Sequence, residues 1–113
     1  MAAWSKYHSV EERVKPLIKL DARQHHTLWG VQQTDVVYCA NMVHISPWDA
    51  TVGLFQGAAA LLSPQGKLIL YGPYQFDGVP LAPSNISFDE HLRSRNSQWG
   101  IRTINSLDHL AAQ

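Results

Sequence analysis

Two short apolar runs, Asp35-Val36-Val37-Tyr38-Cys39-Ala40 and Lys67-Leu68-Ile69-Leu70-Tyr71, stand on either side of one helix-length segment. Within each run the apolar residues are continuous rather than alternating. Such runs belong to strands covered on both faces, as in a parallel sheet. Between them, Ser46 suits a helix cap, Pro47 the first helical position, and Asp49 the acidic place in a capping box. Val52, Phe55, Ala59 and Leu62 then recur at three and four residues and mark a buried stripe. Ser63-Pro64-Gln65-Gly66 reads as a turn into the second run. Strand, helix and strand with short links make a βαβ unit, which almost always crosses over with a right hand. The fold class implied is α/β.

The flanks extend this unit. Ala2 to Val14 reads as the tail of a helix, with Trp4, Tyr7 and Val10 spaced by three. Pro16 ends it, because a proline disfavours helix in the residue before it. Leu17-Ile18-Lys19-Leu20 reads as a further strand stopping at Asp21, so three parallel strands are expected, ending together at Asp21, Asn41 and Tyr71. Ala22 to Thr34 reads as a loop with one helical turn. After Gly72-Pro73 the chain turns irregular, with four of its six prolines between positions 64 and 83. A helix starts at Ser84 or Ser87 and runs to about Asn96, with Ser87 and Glu90 as a second capping box. Ser106 suits the cap of a last helix.

Composition narrows the partners. The 113 residues suit one small domain, and 45% hydrophobic content is ordinary for a globular chain. Nine basic and nine acidic side chains cancel, which removes the field that duplex DNA or an anionic membrane requires. A small molecule or a local protein patch is the expected partner. Cys39 has no internal disulfide partner, which fits a reducing, cytoplasmic compartment. Met1 to Val10 lacks the apolar core of a signal peptide. The longest apolar stretch, Ala50 to Leu62, is interrupted by Thr51 and Gln56 and is too short to span a bilayer. No metal is expected, because Cys39 lies alone inside a strand and no His-Glu-x-x-His occurs.

Open α/β sheets bind ligands at the carboxyl ends of their strands. Those ends carry Asp21, then Asn41-Met42-Val43-His44, then Tyr71-Gly72-Pro73. An asparagine amide donates and accepts at once, which suits a polar ligand edge, or it can tie its own turn. His44 has the ordinary pKa, about 6.5, that suits a general base, or it can pack and bond the backbone. Asp89 and Arg93, four apart on a helix, can bind a ligand or pair with each other. His25 and His26 read as loop surface. Gly53 and Gly57 read as places where a helix packs closely on the sheet.

An acid after one strand, a short polar loop after the next and a proline-glycine turn after the third resemble the class I S-adenosylmethionine-dependent methyltransferases. Cys39-Ala40-Asn41-Met42-Val43-His44-Ile45-Ser46-Pro47-Trp48, Gly53-Leu54-Phe55 and Leu70-Tyr71-Gly72-Pro73-Tyr74 resemble one small methyltransferase-like family. So do Ser84-Asn85, Phe88-Asp89, Leu92-Arg93, Arg95 and Trp99-Gly100. The resemblance runs from Ala3-Trp4 to Leu110. It implies a partial Rossmann-like sheet of three parallel strands with flanking helices, and S-adenosylmethionine as cofactor. It implies Asp21 as the acid on the adenine amine, the alternative being a solvated loop aspartate, and Asn41 and Met42 as the wall where cofactor meets substrate; beside them His44 is the candidate catalytic base. Tyr71, Tyr74, Ser84, Asn85, Asp89 and Arg93 fall on the side of an unknown small methyl acceptor.

The chain departs from the family's pattern. Its seven glycines, at 30, 53, 57, 66, 72, 78 and 100, include no Gly-x-Gly, so the glycine-rich cofactor loop is absent. Met1 falls where the family has the middle of a helix, and the family's last strands would follow Gln113. The resemblance therefore implies a central portion, residues 1–113, that binds the cofactor weakly or not at all and transfers no methyl group. The alternative is a non-catalytic remnant or pseudoenzyme that binds a partner, self-associating through an exposed sheet edge. A nicotinamide oxidoreductase is set aside: the dinucleotide fingerprint is missing, and Tyr7, Tyr38, Tyr71 and Tyr74 are followed four places on by Glu11, Met42, Gln75 and Gly78.

Overall fold

A computed structural model describes residues 18–76 and 78–113. The expected helix over Ala2–Val14, and Leu17 at the head of the expected first strand, lie outside those residues. Strand β1 is Thr34–Ala40 and strand β2 is Leu62–Tyr71. They pair in parallel, with Val36 opposite Lys67 and Ala40 opposite Tyr71, so they end together. Helix α1, Trp48–Leu61, connects them. The βαβ unit expected from the two apolar runs is therefore present, and the chain is α/β.

The third parallel strand is a correction. Ile18–Leu20 forms no strand, and among the described residues β1 and β2 make a sheet of two. Ile18 and Leu20 are 57% and 42% exposed. Four apolar-rich residues supply propensity, but a strand forms only where a neighbour offers a ladder.

Each expected cap shifted for a local reason. Pro47 is the residue before α1, and the Ser46 hydroxyl donates to the Met42 carbonyl at 2.8 Å instead of capping. Pro83 at the first position starts helix α2, Pro83–Arg95, so Ser84 falls in its first turn and Ser87 and Glu90 lie in its interior. Helix α3, Ile104–Ala111, is capped by Thr103, whose hydroxyl accepts from the Ser106 N–H at 3.1 Å. The turn expected at Ser63–Gly66 survives as an excursion inside β2. Leu62 pairs with Thr34 and the next pair is Val36 with Lys67, so Ser63–Gly66 loops out opposite Asp35. The Ser63 hydroxyl ties that excursion to Asp35 Oδ1 at 2.7 Å.

The buried stripe of α1 is Ala50, Thr51, Leu54, Gly57 and Ala58, one residue away from the stripe expected at Val52, Phe55, Ala59 and Leu62. This helix carries apolar residues on most of its circumference, so periodicity selects a face only weakly. Its glycines do. A methyl on Gly57 would overlap the Trp29 ring, and one on Gly53 would overlap the Ala22 carbonyl. The missing side chains let segment 22–29 lie directly on α1, so the close packing expected at Gly53 and Gly57 is made with that segment and not with the sheet. His26–Leu28 is the single helical turn, of 3-10 type, expected in this loop. Trp29 is buried and its Nε1 donates to the Gln24 carbonyl at 3.1 Å.

Trp29, Ala50, Leu54 and Ala58 form the core on the helix side of the sheet, continued by Val43, Leu92, Ile101 and Leu107. On the opposite face Val36, Tyr38, Ile69 and Tyr71 are 51%, 61%, 44% and 63% exposed. The continuous apolar pattern led to the expectation of cover on both faces; among the described residues one face is open. Past β2, Tyr74–Gln75 (β3) pairs in parallel with Arg102–Thr103 (β4), a contact of two residues each that ties the proline-rich stretch to the chain before α3. No helix of the described residues is long and apolar enough to cross a membrane.

Candidate functional site

The carboxyl ends of β1 and β2 converge on Asn41, His44 and Gly72. Asn41 leaves β1 in the left-handed conformation, φ 56°, which asparagine tolerates better than other non-glycine residues. Its N–H donates to the Tyr71 carbonyl at 2.8 Å, closing the two strand ends together. The chain then makes a 3-10 turn, Val43–Ile45, that buries Val43 and His44. A side chain on Gly72 would begin 3.6 Å from His44 Nδ1 and 3.7 Å from Asn41 Oδ1. Three residues from two strand ends therefore share one small space.

Helix α2 and the chain after it close this space from the other side. The Phe88 ring tilts against the His44 imidazole at 5.6 Å between centroids. Asp89 Oδ1 accepts from the Ile101 N–H at 2.7 Å, and Oδ2 accepts from Arg93 Nε at 3.0 Å. Gly100, next to Ile101, donates its N–H to the His44 carbonyl at 3.0 Å. A side chain on Gly100 would begin 3.1 Å from both Arg93 Nη2 and Asp89 Oδ1, so glycine is what lets the strap lie this close. Arg102 extends the cluster, donating from Nη2 to the Ser46 and Gln98 carbonyls and lying 5.5 Å from the centre of the Trp48 ring. Burial, then the charge of Arg93, lower the pKa of Arg102 below its usual value, and Asp89 opposes this.

His44 is 5% exposed, and its Nδ1 is buried with no hydrogen-bond partner. Burial pushes its pKa below the ordinary histidine value, so the ring is neutral at physiological pH.

Asp21 stands apart from this cluster. Its Oδ1 accepts from the Arg23 N–H at 3.0 Å and Nε at 3.2 Å, and its Oδ2 from Arg23 Nη2 at 3.1 Å. The Arg23 guanidinium, then its N–H, hold the Asp21 carboxyl below its usual pKa. A carboxylate has about four acceptor positions, so one remains for an outside donor. The residues flanking it, Leu20 and Ala22, line an apolar cleft of about 380 Å³ with Trp29 and Leu54. The cleft runs alongside β1 and reaches Met42 at the strand's carboxyl end. Met42 thus lines this apolar slot and Asp21 lies between two of its lining residues, while Asn41 and His44 sit at the Gly72 side of the same strand end.

The remaining residues singled out in the sequence scatter. Tyr71 lies on the open face of the sheet. Tyr74 is half-buried in β3, its phenol pKa raised by burial and then by nearby Cys39. Ser84 and Asn85 occupy the first turn of α2, exposed and half-buried respectively. Asp89 and Arg93 pair with each other. Arg102 and Trp48 escaped sequence reasoning, because nothing in a lone arginine signals a tryptophan far away in the chain. Among the described residues, no three His, Cys, Asp or Glu side chains converge as a metal site would require.

Along its whole length, residues 1–113, the chain matches a family model whose description is "Protein of unknown function (DUF938)", and it belongs to that family.

Proposed function

We propose that this DUF938 chain furnishes part of an S-adenosylmethionine-dependent methyltransferase of the Rossmann-like class acting on a small acceptor, in keeping with its resemblance to the methyltransferase-like family. The observation that carries the reading is the apolar cleft beside Asp21, which reaches Met42 at the end of a strand in a parallel βαβ unit. Ligand sites favour such strand ends, and the volume lies in the range of small-molecule pockets. The residues present fit the adenine part of the cofactor. Leu20, Ala22, Trp29, Leu54 and Met42 offer apolar walls to a flat ring, and Asp21, next to Leu20 and Ala22 at the margin of the cleft, retains an acceptor position for the exocyclic amine. When bound, the cofactor supplies an electrophilic methyl group on a sulfonium.

In this reading Asn41 and His44 at the strand end face the acceptor, together with Ser84, Asn85, Asp89 and Arg93 of α2, Tyr71 at the end of β2 and Tyr74 in β3. Their contribution is to hold the acceptor in line, because positioning supplies much of the rate in such transfers. The sequence carries no Gly-x-Gly to admit the methionine end. Each missing hydrogen bond to a charged or polar ligand group forfeits about 1.5 kcal/mol or more, and several together weaken binding by orders of magnitude. The 113-residue chain therefore binds the cofactor weakly or not at all and transfers no methyl group. The test is calorimetry of the chain and its Asp21→Ala variant with S-adenosylmethionine, alongside an assay for methyl transfer. Tight, Asp21-dependent binding by the chain alone would overturn the partial-site reading.

A second reading, a non-catalytic interaction module, is favoured by the open apolar face of Val36, Tyr38, Ile69 and Tyr71. Both readings carry a cytoplasmic location, with Cys39 as a free thiol.

A further inference from the structure

His44 is held from several sides. Its carbonyl is held by Gly100, its ring is packed by Phe88, and Nδ1 is sealed without a donor or acceptor beside Gly72. A neutral imidazole carries its proton on one nitrogen and a lone pair on the other. A proton on Nδ1 would be a buried N–H with nothing to receive it, and orphaned N–H groups are rarer than under-used acceptors. Leaving a buried donor unmade carries a desolvation penalty, which weighs against the tautomer protonated on Nδ1.

We propose that His44 is locked as the tautomer protonated on Nε2, and that it serves its site as a hydrogen-bond donor to a ligand oxygen rather than as a base. Resting on the reading that this strand end borders the methyl acceptor, the acceptor then presents an accepting oxygen, such as that of a carboxylate or phosphate, to Nε2–H, an anchor that leaves the methylated atom's lone pair free. The lone pair that a base would need lies on Nδ1, and what little surface His44 keeps does not include that atom. Asp89 acts through this histidine as a positioning residue. It holds Ile101, and the adjoining Gly100 fixes the His44 main chain. The charged groups of that cluster are Asp89, Arg93 and Arg102; the first two are paired, and none is hydrogen-bonded to the ring.

The measurement is long-range 1H–15N correlation of the histidine rings in the uniformly labelled chain at pH 7.5, with His44→Gln assigning the signal. The expected result is one His44 species with a bare Nδ1 and a protonated Nε2. A protonated Nδ1, or the two-tautomer average of a free imidazole, would overturn the proposal. Asp89→Ala should shift His44 toward that average with the circular dichroism unchanged; a His44 pattern indifferent to it would remove Asp89 from the account. Acetate and inorganic phosphate, each added to about 50 mM to reach millimolar affinities, test the ligand class. A saturable shift of Nε2–H with one of them supports it and names the oxygen, and no shift with either sinks it. The ring measurements need no cofactor, so they stand or fall separately from the calorimetry above.

Discussion

Gly57→Ala should destabilise the chain even though alanine is the better helix former. In an exposed helix the change would gain about 1 kcal/mol. Here the new methyl would overlap the Trp29 ring, lying 2.6 Å from Cζ2 and Cζ3. The ring is stiff, buried to 6% exposure and tied to the Gln24 carbonyl, so it must leave its seat. Loss of a buried tryptophan side chain costs about 3–5 kcal/mol, and loss of its hydrogen bond about 1 kcal/mol more. Set against the helical gain, the net is a loss of about 3 kcal/mol or more where the ring is fully expelled. Urea unfolding followed by tryptophan fluorescence would show a midpoint lowered by at least about 1 M for ordinary slopes. The control is a cycle through Trp29→Leu, in which the methyl no longer meets a ring. In that background Gly57→Ala should be neutral or stabilising by up to about 1 kcal/mol. Equal or greater stability of Gly57→Ala in the native background would refute the packing of segment 22–29 on α1, and with it the wall of the cleft.

Because burial lowers the folded-state pKa of His44, the unfolded chain binds more protons between that lowered value and about 6.5. Stability should therefore be fully present above pH 6.5 and fall as the pH drops through this window; urea midpoints against pH should lose that slope in His44→Gln. Cys39, whose thiol burial pushes above its ordinary pKa, should react with iodoacetamide at pH 7.5 much more slowly in the native chain than in urea. The open sheet face should drive association, so Tyr38→Lys combined with Ile69→Lys should lower the sedimentation-average mass of the concentrated chain; a wild-type chain already monomeric at high concentration would contradict this.

The sequence made the βαβ unit readable because two continuous apolar runs and a helix-length spacer have few other solutions. It was a poor guide where tertiary contact decided the outcome. Leu17–Leu20 had the composition of a strand, yet Ile18–Leu20 found no ladder partner. In α1 the buried face was chosen by glycines admitting Trp29 and Ala22, not by the spacing of large apolar residues. Asn41, Met42 and His44 could be placed at a strand end from sequence, since strand ends are where α/β sheets present ligands. The contacts that fix His44 could not: the adjacent residues Gly100 and Ile101 reach it and Asp89 through backbone N–H groups without sequence signatures.

The proposed function requires that the cleft next to Asp21 accept an adenine ring, and chemical-shift perturbation of the labelled chain by adenosine tests this most directly. Adenosine at millimolar concentration should move the signals of Asp21, Ala22, the Trp29 indole and Met42, and Asp21→Ala should weaken the effect while leaving the fold intact. Shifts confined to residues elsewhere, or no shift at these four at any attainable concentration, would contradict it.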